Sequence, residues 1–107
     1  MEQPRLFVVK KDGRREQYSR DKLIGGLRKA CEKRPISDSQ LEGVAADLER
    51  DFFARGENEV PATTVGEKVM EALKHLDPVA YIRFASVYRS FRDVESFREE
   101  LSALLSK

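Results

Sequence analysis

The sequence predicts an α+β domain, a bundle of four to five helices capped by a small three-stranded sheet, and three observations carry that prediction. Apolar residues recur at helical spacing through most of the chain after residue 20. Asp12-Gly13 stands between two short runs of strand character. Helix-start signals, Ser/Thr followed three residues later by Gln/Glu or Asp followed by Pro, divide the helical part into separate elements. The 107 residues suffice for one domain with a modest core.

Residues 6–11, LFVVKK, and 14–18, RREQY, flank Asp12-Gly13, a pair that tolerates the positive φ of a two-residue hairpin turn. In that register Lys11 faces Arg14 and Lys10 faces Arg15. A helix follows over about 20–33, with Ser19 before it, Leu23, Leu27 and Ala30/Cys31 along one face, and Pro35 behind it. Ser37 and Gln40 form a capping box for the next helix, whose stripe is Leu41, Val44, Ala45, Leu48 and Phe52 and whose stop is Gly56. Residues 57–61, ENEVP, are expected to add a third strand at the hairpin's edge, where Pro61, lacking an N–H, is tolerated. Thr64 with Glu67 predicts the next helix start, with Val65, Val69, Ala72, Leu73 and Leu76 as its stripe. Asp77-Pro78 supplies a cap and a first helical residue for a helix through VAYIRFASVYRSF, apolar on nearly every side and therefore expected at the centre. Val94, Phe97, Leu101 and Leu104/Leu105 mark a terminal helix with a narrow apolar stripe.

The formal net charge is +1, so no global excess draws this chain to nucleic acid or membrane. The charge is nevertheless segregated. Residues 10–22 hold six cations and three acids, whereas residues 41–59 hold six acids and two arginines. No apolar run approaches the length of a membrane span or a signal segment, and a cytoplasmic location is expected. The single cysteine, Cys31, can close no internal disulfide and is expected in the core. Paired histidines, a phosphate-binding glycine loop and a nucleophile beside a base are all missing from the sequence, and His75 suits a helix-end contact. Binding without catalysis is the expectation.

Like charges opposed across a tight turn are unfavourable by a few tenths of a kcal/mol or more. Two readings compete. An anion bound between Lys10, Lys11 and Lys22 would relieve the repulsion, helped by the free N–H groups of the following helix start. Alternatively, long cationic side chains simply guard a sheet edge. Glu16 inside such a cluster suits a ligand carrying hydroxyls as well as phosphate. Gly25 and Gly26 inside the first helix point to close approach of another helix, and Gly66 near a helix start to ligand contact.

The stretch VVKKDGRREQYSRDKL resembles the opening motif of the ATP-cone, a nucleotide-sensing domain found on ribonucleotide reductase large subunits. The stretches RKACEKRPIS, EVPATTVGEKVMEALKHLD and VAYIRFASVYRSFRDVESF resemble more narrowly the ATP-cone of the bacterial ribonucleotide reductase transcriptional repressor, the NrdR family. Together they span about residues 6–100, within a single domain over 1–107 whose residues 1–5 are expected to be a disordered start. The resemblance implies ATP or dATP as effector, with magnesium a candidate companion. It assigns Val8 to the adenine through its backbone, Lys10 and Lys11 to phosphates, Glu16 to the sugar, Lys22 and Leu23 to the rest of the pocket, and Tyr88, or failing that Tyr81, to the base. Lys11 stands where Arg is commoner, which keeps charge but loses the bidentate fork. Gly25 is likewise unusual for the family.

The resemblance also implies self-association controlled by nucleotide. The Phe97/Leu101 stripe competes for that contact with packing onto its own bundle. Repressors of this family carry a four-cysteine zinc ribbon that reads DNA; this chain has only Cys31, so zinc and DNA are expected only through a ribbon absent from it, whether removed or never present, removal being the favoured reading. Two other functions stay open, an allosteric ATP-cone of a reductase large subunit and a nucleic-acid-binding module built on the basic hairpin.

Overall fold

The computed structural model describes residues 5–56, 58–88 and 94–105. Phe91 and residues 1–4 of the expected disordered start lie outside the described residues, as does the side chain of Phe97. The chain runs β1 (Phe7–Val9), β2 (Arg15–Gln17), α1 (Arg20–Ala30), α2 (Asp38–Ala54), β3 (Glu59–Pro61), α3 (Ala62–Leu76), α4 (Pro78–Tyr88) and α5 (Val94–Leu105). The three strands form one mixed sheet in the order β2-β1-β3, with β2 antiparallel and β3 parallel to β1. Four helices close a ring in which α2 packs on α1 and α3, and α4 packs on α3 and α1. The outer helix, α5, lies on α4.

The hairpin forms where expected, but its register differs by one residue. Val8 pairs with Glu16 and Val9 with Arg15. The loop therefore holds three residues, Lys11-Asp12-Gly13, and Lys10 N–H donates to the Arg14 carbonyl at 2.8 Å. Gly13, at φ +89°, closes a turn onto the Lys10 carbonyl, and Asp12 does not take the positive φ that a two-residue type I′ turn also demands, so the loop is the three-residue kind with one left-handed residue. Asp12 reinforces the loop by accepting from the Arg14 N–H at 3.0 Å and Nε at 2.7 Å. Lys11 and Arg14 are consequently not opposed, and Arg15 faces Val9.

Helix α1 ends at Ala30, three residues before the expected position, because the chain turns through a left-handed Lys33 (φ +62°). The orphan carbonyls of Ala30 and Glu32 accept from the Arg83 guanidinium of α4. The Ser37/Gln40 capping box on α2 is present in full, and Gly56, at φ +71°, ends that helix as expected. Helix α3 begins two residues before Thr64. Pro61 leaves β3 at φ −62° and leads straight into Ala62, so the helix starts with no side-chain cap and Thr64 and Glu67 form no capping box.

Between α3 and α4, Asp77 is 5% exposed. It accepts from the N–H groups of Val79 (2.9 Å) and Ala80 (3.0 Å), and both its oxygens accept from Arg34 Nε. Burial pushes the Asp77 carboxyl up, but the Ala80 N–H, Arg34 and the Val79 N–H together outweigh it and hold the group below the usual carboxylate range. Glu49 and Asp51 are likewise held low, Glu49 chiefly by Arg20 and Asp51 chiefly by Lys68. A carboxyl lowered in the folded state adds stability above its unfolded pKa, about 4, and loses it as pH falls through the lower folded value. Urea midpoints should therefore hold level from neutral pH to about pH 5 and fall below about pH 4. The acid loss should be smaller in Asp77→Asn.

The core comprises Leu6, Leu27, Cys31, Leu41, Leu48, Phe52, Val60, Val69, Met70, Leu73, Ala80, Tyr81 and Ala85, so Cys31 is an interior residue as expected. Helix α4 is a corner of the ring and not its centre. Ala80, Tyr81 and Ala85 are buried, but among the described residues Val79 is 40% and Val87 80% exposed. The Tyr81 hydroxyl donates to Glu100 of α5, and Leu104 packs against the core, so α5 is seated on its own bundle. A Cβ on Gly25 or Gly26 would meet nothing within 4 Å among the described residues, so none of these makes the expected helix approach. Nothing in the structure explains these two glycines.

Candidate functional site

Strand alternation places Val8 and Lys10 on one face of β1, with Glu16 paired opposite Val8. The first turn of α1 approaches the same face. Ser19 caps that helix, its hydroxyl accepting from the Lys22 N–H at 3.3 Å, and this fixes where Lys22 and Leu23 begin. Together these residues surround a cavity of about 210 Å³, lined by Val8, Lys10, Glu16, Gln17, Tyr18, Ser19, Lys22, Leu23 and Val65. Five of the seven sequence-expected site residues, Val8, Lys10, Glu16, Lys22 and Leu23, are thus brought together.

The cavity has two ends of different chemistry. Val8, Leu23 and Val65 give it an apolar wall, while Lys10 and Lys22 give it charge. Glu16 holds both lysines: Lys10 Nζ lies 3.4 Å from one carboxylate oxygen, and Lys22 Nζ donates to the other. Lys22, then Lys10, keep the Glu16 carboxyl below its ordinary pKa, so it is ionised at neutral pH. The trio carries a net charge of about +1 in a half-exposed setting, suited to an anion that arrives with hydroxyl groups.

Lys11 and Tyr88 do not line this cavity. Lys11 is exposed at the hairpin loop. Tyr88 lies against α3, its hydroxyl donating to the Thr63 carbonyl at 2.9 Å and its ring stacked on Phe84. A Cβ on Gly66 would come within 2.1 Å of that ring, so Gly66 makes room for Tyr88 and not for a ligand. Tyr81 is buried in the core and donates to Glu100, away from the cavity. His75 stands in the last turn of α3, where the sequence placed it, and its Nε2 meets the Glu71 carboxylate one turn back at 3.2 Å.

Four lining residues, Gln17, Tyr18, Ser19 and Val65, are not among the site residues expected from the sequence; Gln17 and Ser19 lie between Glu16 and Lys22 along the chain. Val65 shows there only as one member of the α3 core stripe, with no signal for a cavity some forty residues away. Tyr18 is detectable in principle, since it stands two residues beyond Glu16 and so on the same side of an extended chain.

The remaining hairpin cations are matched internally. Arg14 pairs with Asp12, Arg15 with Glu59 of β3, and Arg20 with Glu42 and Glu49 of α2. The acidic segment thereby neutralises much of the basic one, which leaves little for a β-ribbon to offer nucleic acid. Among the described residues no group of three or more His, Cys, Asp or Glu could hold a metal ion, and no helix is long and apolar enough to cross a membrane.

The profile of the ATP cone domain matches residues 6–94. Among curated proteins, the transcriptional repressor NrdR of Symbiobacterium thermophilum is 56% identical over 105 residues, covering 98% of this chain and 70% of that protein. The NrdR repressor of Geobacillus kaustophilus is 53% identical over 107 residues, the whole chain and 70% of that protein. That of Myxococcus xanthus is 57% identical over 98 residues, 92% of the chain and 58% of that protein.

Proposed function

From the premise that this chain belongs to the ATP-cone family, in the form carried by NrdR transcriptional repressors, we propose that it senses adenine nucleotides for a repressor of ribonucleotide reductase genes. The observation that carries the proposal is the cavity at which β1, β2 and the α1 N-terminus meet. Its apolar wall suits a base, Glu16 suits sugar hydroxyls, and Lys10 and Lys22 with the α1 N–H groups suit phosphates. At about 210 Å³ it is smaller than common ligand sites, about 300–1,000 Å³, so a triphosphate would extend past it, toward the hairpin loop that carries Lys11. Magnesium would enter with the phosphates.

Regulation follows if nucleotide binds one assembly of the repressor more tightly than another, since only differential affinity shifts a population. Self-association is thus part of the proposal, as is a cytoplasmic setting. DNA contact is assigned to the part of such repressors outside this chain. The described residues hold one cysteine and cannot supply a four-cysteine ribbon.

Calorimetric titration with ATP and with dATP, paired with sedimentation, tests the reading. Saturable heat is expected, together with a thermal shift that grows with ligand, about 2.7 kcal/mol of added stability at a hundred times Kd. The absence of both heat and shift at millimolar nucleotide would overturn it.

The role given to Glu16 has its own test. Glu16→Gln leaves both lysines in place and raises the local charge by one, so inorganic tripolyphosphate should bind more tightly. The advantage of ATP over tripolyphosphate should shrink severalfold. An unchanged ratio of the two affinities would place the sugar elsewhere.

A further inference from the structure

Tyr18 stands between two spaces. On one side it lines the cavity with Lys10, Glu16 and Lys22; on the other it lines a cleft of about 390 Å³ with Arg5, Leu6, Gln17, Arg20, Glu49 and Phe53. In that cleft Tyr18, Arg20 and Glu49 already satisfy one another. The Tyr18 hydroxyl donates to Glu49 Oε2 at 2.7 Å, Arg20 Nε donates to the same oxygen at 2.8 Å, and Arg20 Nη2 donates to Oε1 at 2.5 Å. Arg20 Nη1 reaches on to Glu42 at 3.2 Å. With these three side chains engaged in this way, the cleft offers a firm anchor.

Resting on the nucleotide reading above, we propose that Tyr18 is a positioning residue of the nucleotide cavity, its ring forming a wall whose place is set by the Glu49 and Arg20 clamp on α2 and α1. The chain of contacts is continuous. Tyr18 N–H donates to the Leu6 carbonyl at 2.8 Å, extending the β1–β2 pairing past Gln17. Its hydroxyl then ties that strand end to α2, and Arg20, the first residue of α1, ties α1 to the same carboxylate. Two elements that wall the cavity, β2 and α1, are therefore indexed to one carboxylate on α2. Burial, then the Glu49 hydrogen bond, raises the phenol well above its ordinary pKa, so it remains a donor at neutral pH. A ligand seated against a wall held in this way meets a preformed surface and loses less freedom on binding.

Tyr18→Phe keeps the ring and removes the hydroxyl. Titration of ATP into this variant should show affinity lowered about two- to tenfold, the worth of one hydrogen bond that holds the wall. Glu49→Ala should lower it at least as much. Because both remove the same contact, the Tyr18→Phe/Glu49→Ala double variant should fall no further than Glu49→Ala alone. Glu49→Gln, which still accepts from the hydroxyl, should recover most of the affinity. A residue that only stabilises the fold would lower the melting temperature of Tyr18→Phe and leave the affinity of the folded protein unchanged; that result overturns the proposal, as does simple additivity in the double variant. No binding by the unaltered chain would overturn both this proposal and the nucleotide reading, whereas unaltered binding with an indifferent Tyr18→Phe overturns this one alone.

Discussion

Replacing Asp77 by alanine should cost the domain about 3 kcal/mol, the largest loss expected from any single polar substitution here. The side chain serves as the N-cap of α4 through two backbone N–H groups and holds Arg34 through both oxygens while almost wholly buried. Losing a cap alone costs about 0.5–2 kcal/mol, and the rest comes from leaving the Arg34 guanidinium without its counter-charge. A domain of this size has roughly 5–15 kcal/mol in all, so the urea midpoint should drop sharply. Asp77→Asn keeps an oxygen for the cap but no charge for Arg34, and should fall between the two. Equal midpoints for Asp77→Ala and the unaltered chain would mean that α4 is held by its apolar contacts alone.

Lys10→Ala or Lys22→Ala should weaken ATP binding about tenfold each while leaving the urea midpoint nearly unmoved, since Lys22 is exposed and Lys10 partly so, and solvent-accessible ion pairs add little stability. The reason lies in the shared carboxylate. With both lysines present the trio is positive; with one removed it is neutral, and Glu16 is free to pair fully with the lysine that remains. With both removed it is negative, and the double variant should show no measurable binding at concentrations that saturate the unaltered chain. The single-variant losses should shrink as salt rises, because exposed charges are screened within about 10 Å at 0.1 M. Titrations at two salt concentrations measure this. Affinity unchanged in both single variants would move the phosphates away from this cavity.

The parts of the site legible in the sequence are those that lie close together along the chain. Val8, Lys10, Glu16, Lys22 and Leu23 fall within sixteen residues, and strand alternation followed by one capped helix turn is enough to converge them. Val65 and Glu49 come from α3 and α2, whose placement depends on how four helices close into a ring, and no local pattern announces that. The fold shows the same division. Asp77-Pro78 and the Ser37/Gln40 box are local chemistry and act where their residues stand. The hairpin register hinged on whether Asp12-Gly13 made a two- or three-residue loop, which the pair itself does not decide; Gly13 is left-handed in either, but a two-residue type I′ turn needs positive φ at Asp12 as well, and Asp12 does not adopt it. Thr64 and Glu67 have capping-box spacing, yet Pro61 opens the helix first, because β3 must pair with β1 up to that residue. Helix α4 looked central because it is apolar all round, but the ring leaves Val87 outside.

The central claim is that adenine nucleotide enters the cavity between β1, β2 and α1, and mapping backbone amide shifts during an ATP titration tests it most directly. The account predicts that the largest changes fall on Val8, Lys10, Glu16, Lys22, Leu23 and Val65. Changes centred instead on Gly26, Phe84 and Val87 of the α1–α4 groove, or none at saturating nucleotide, would contradict it.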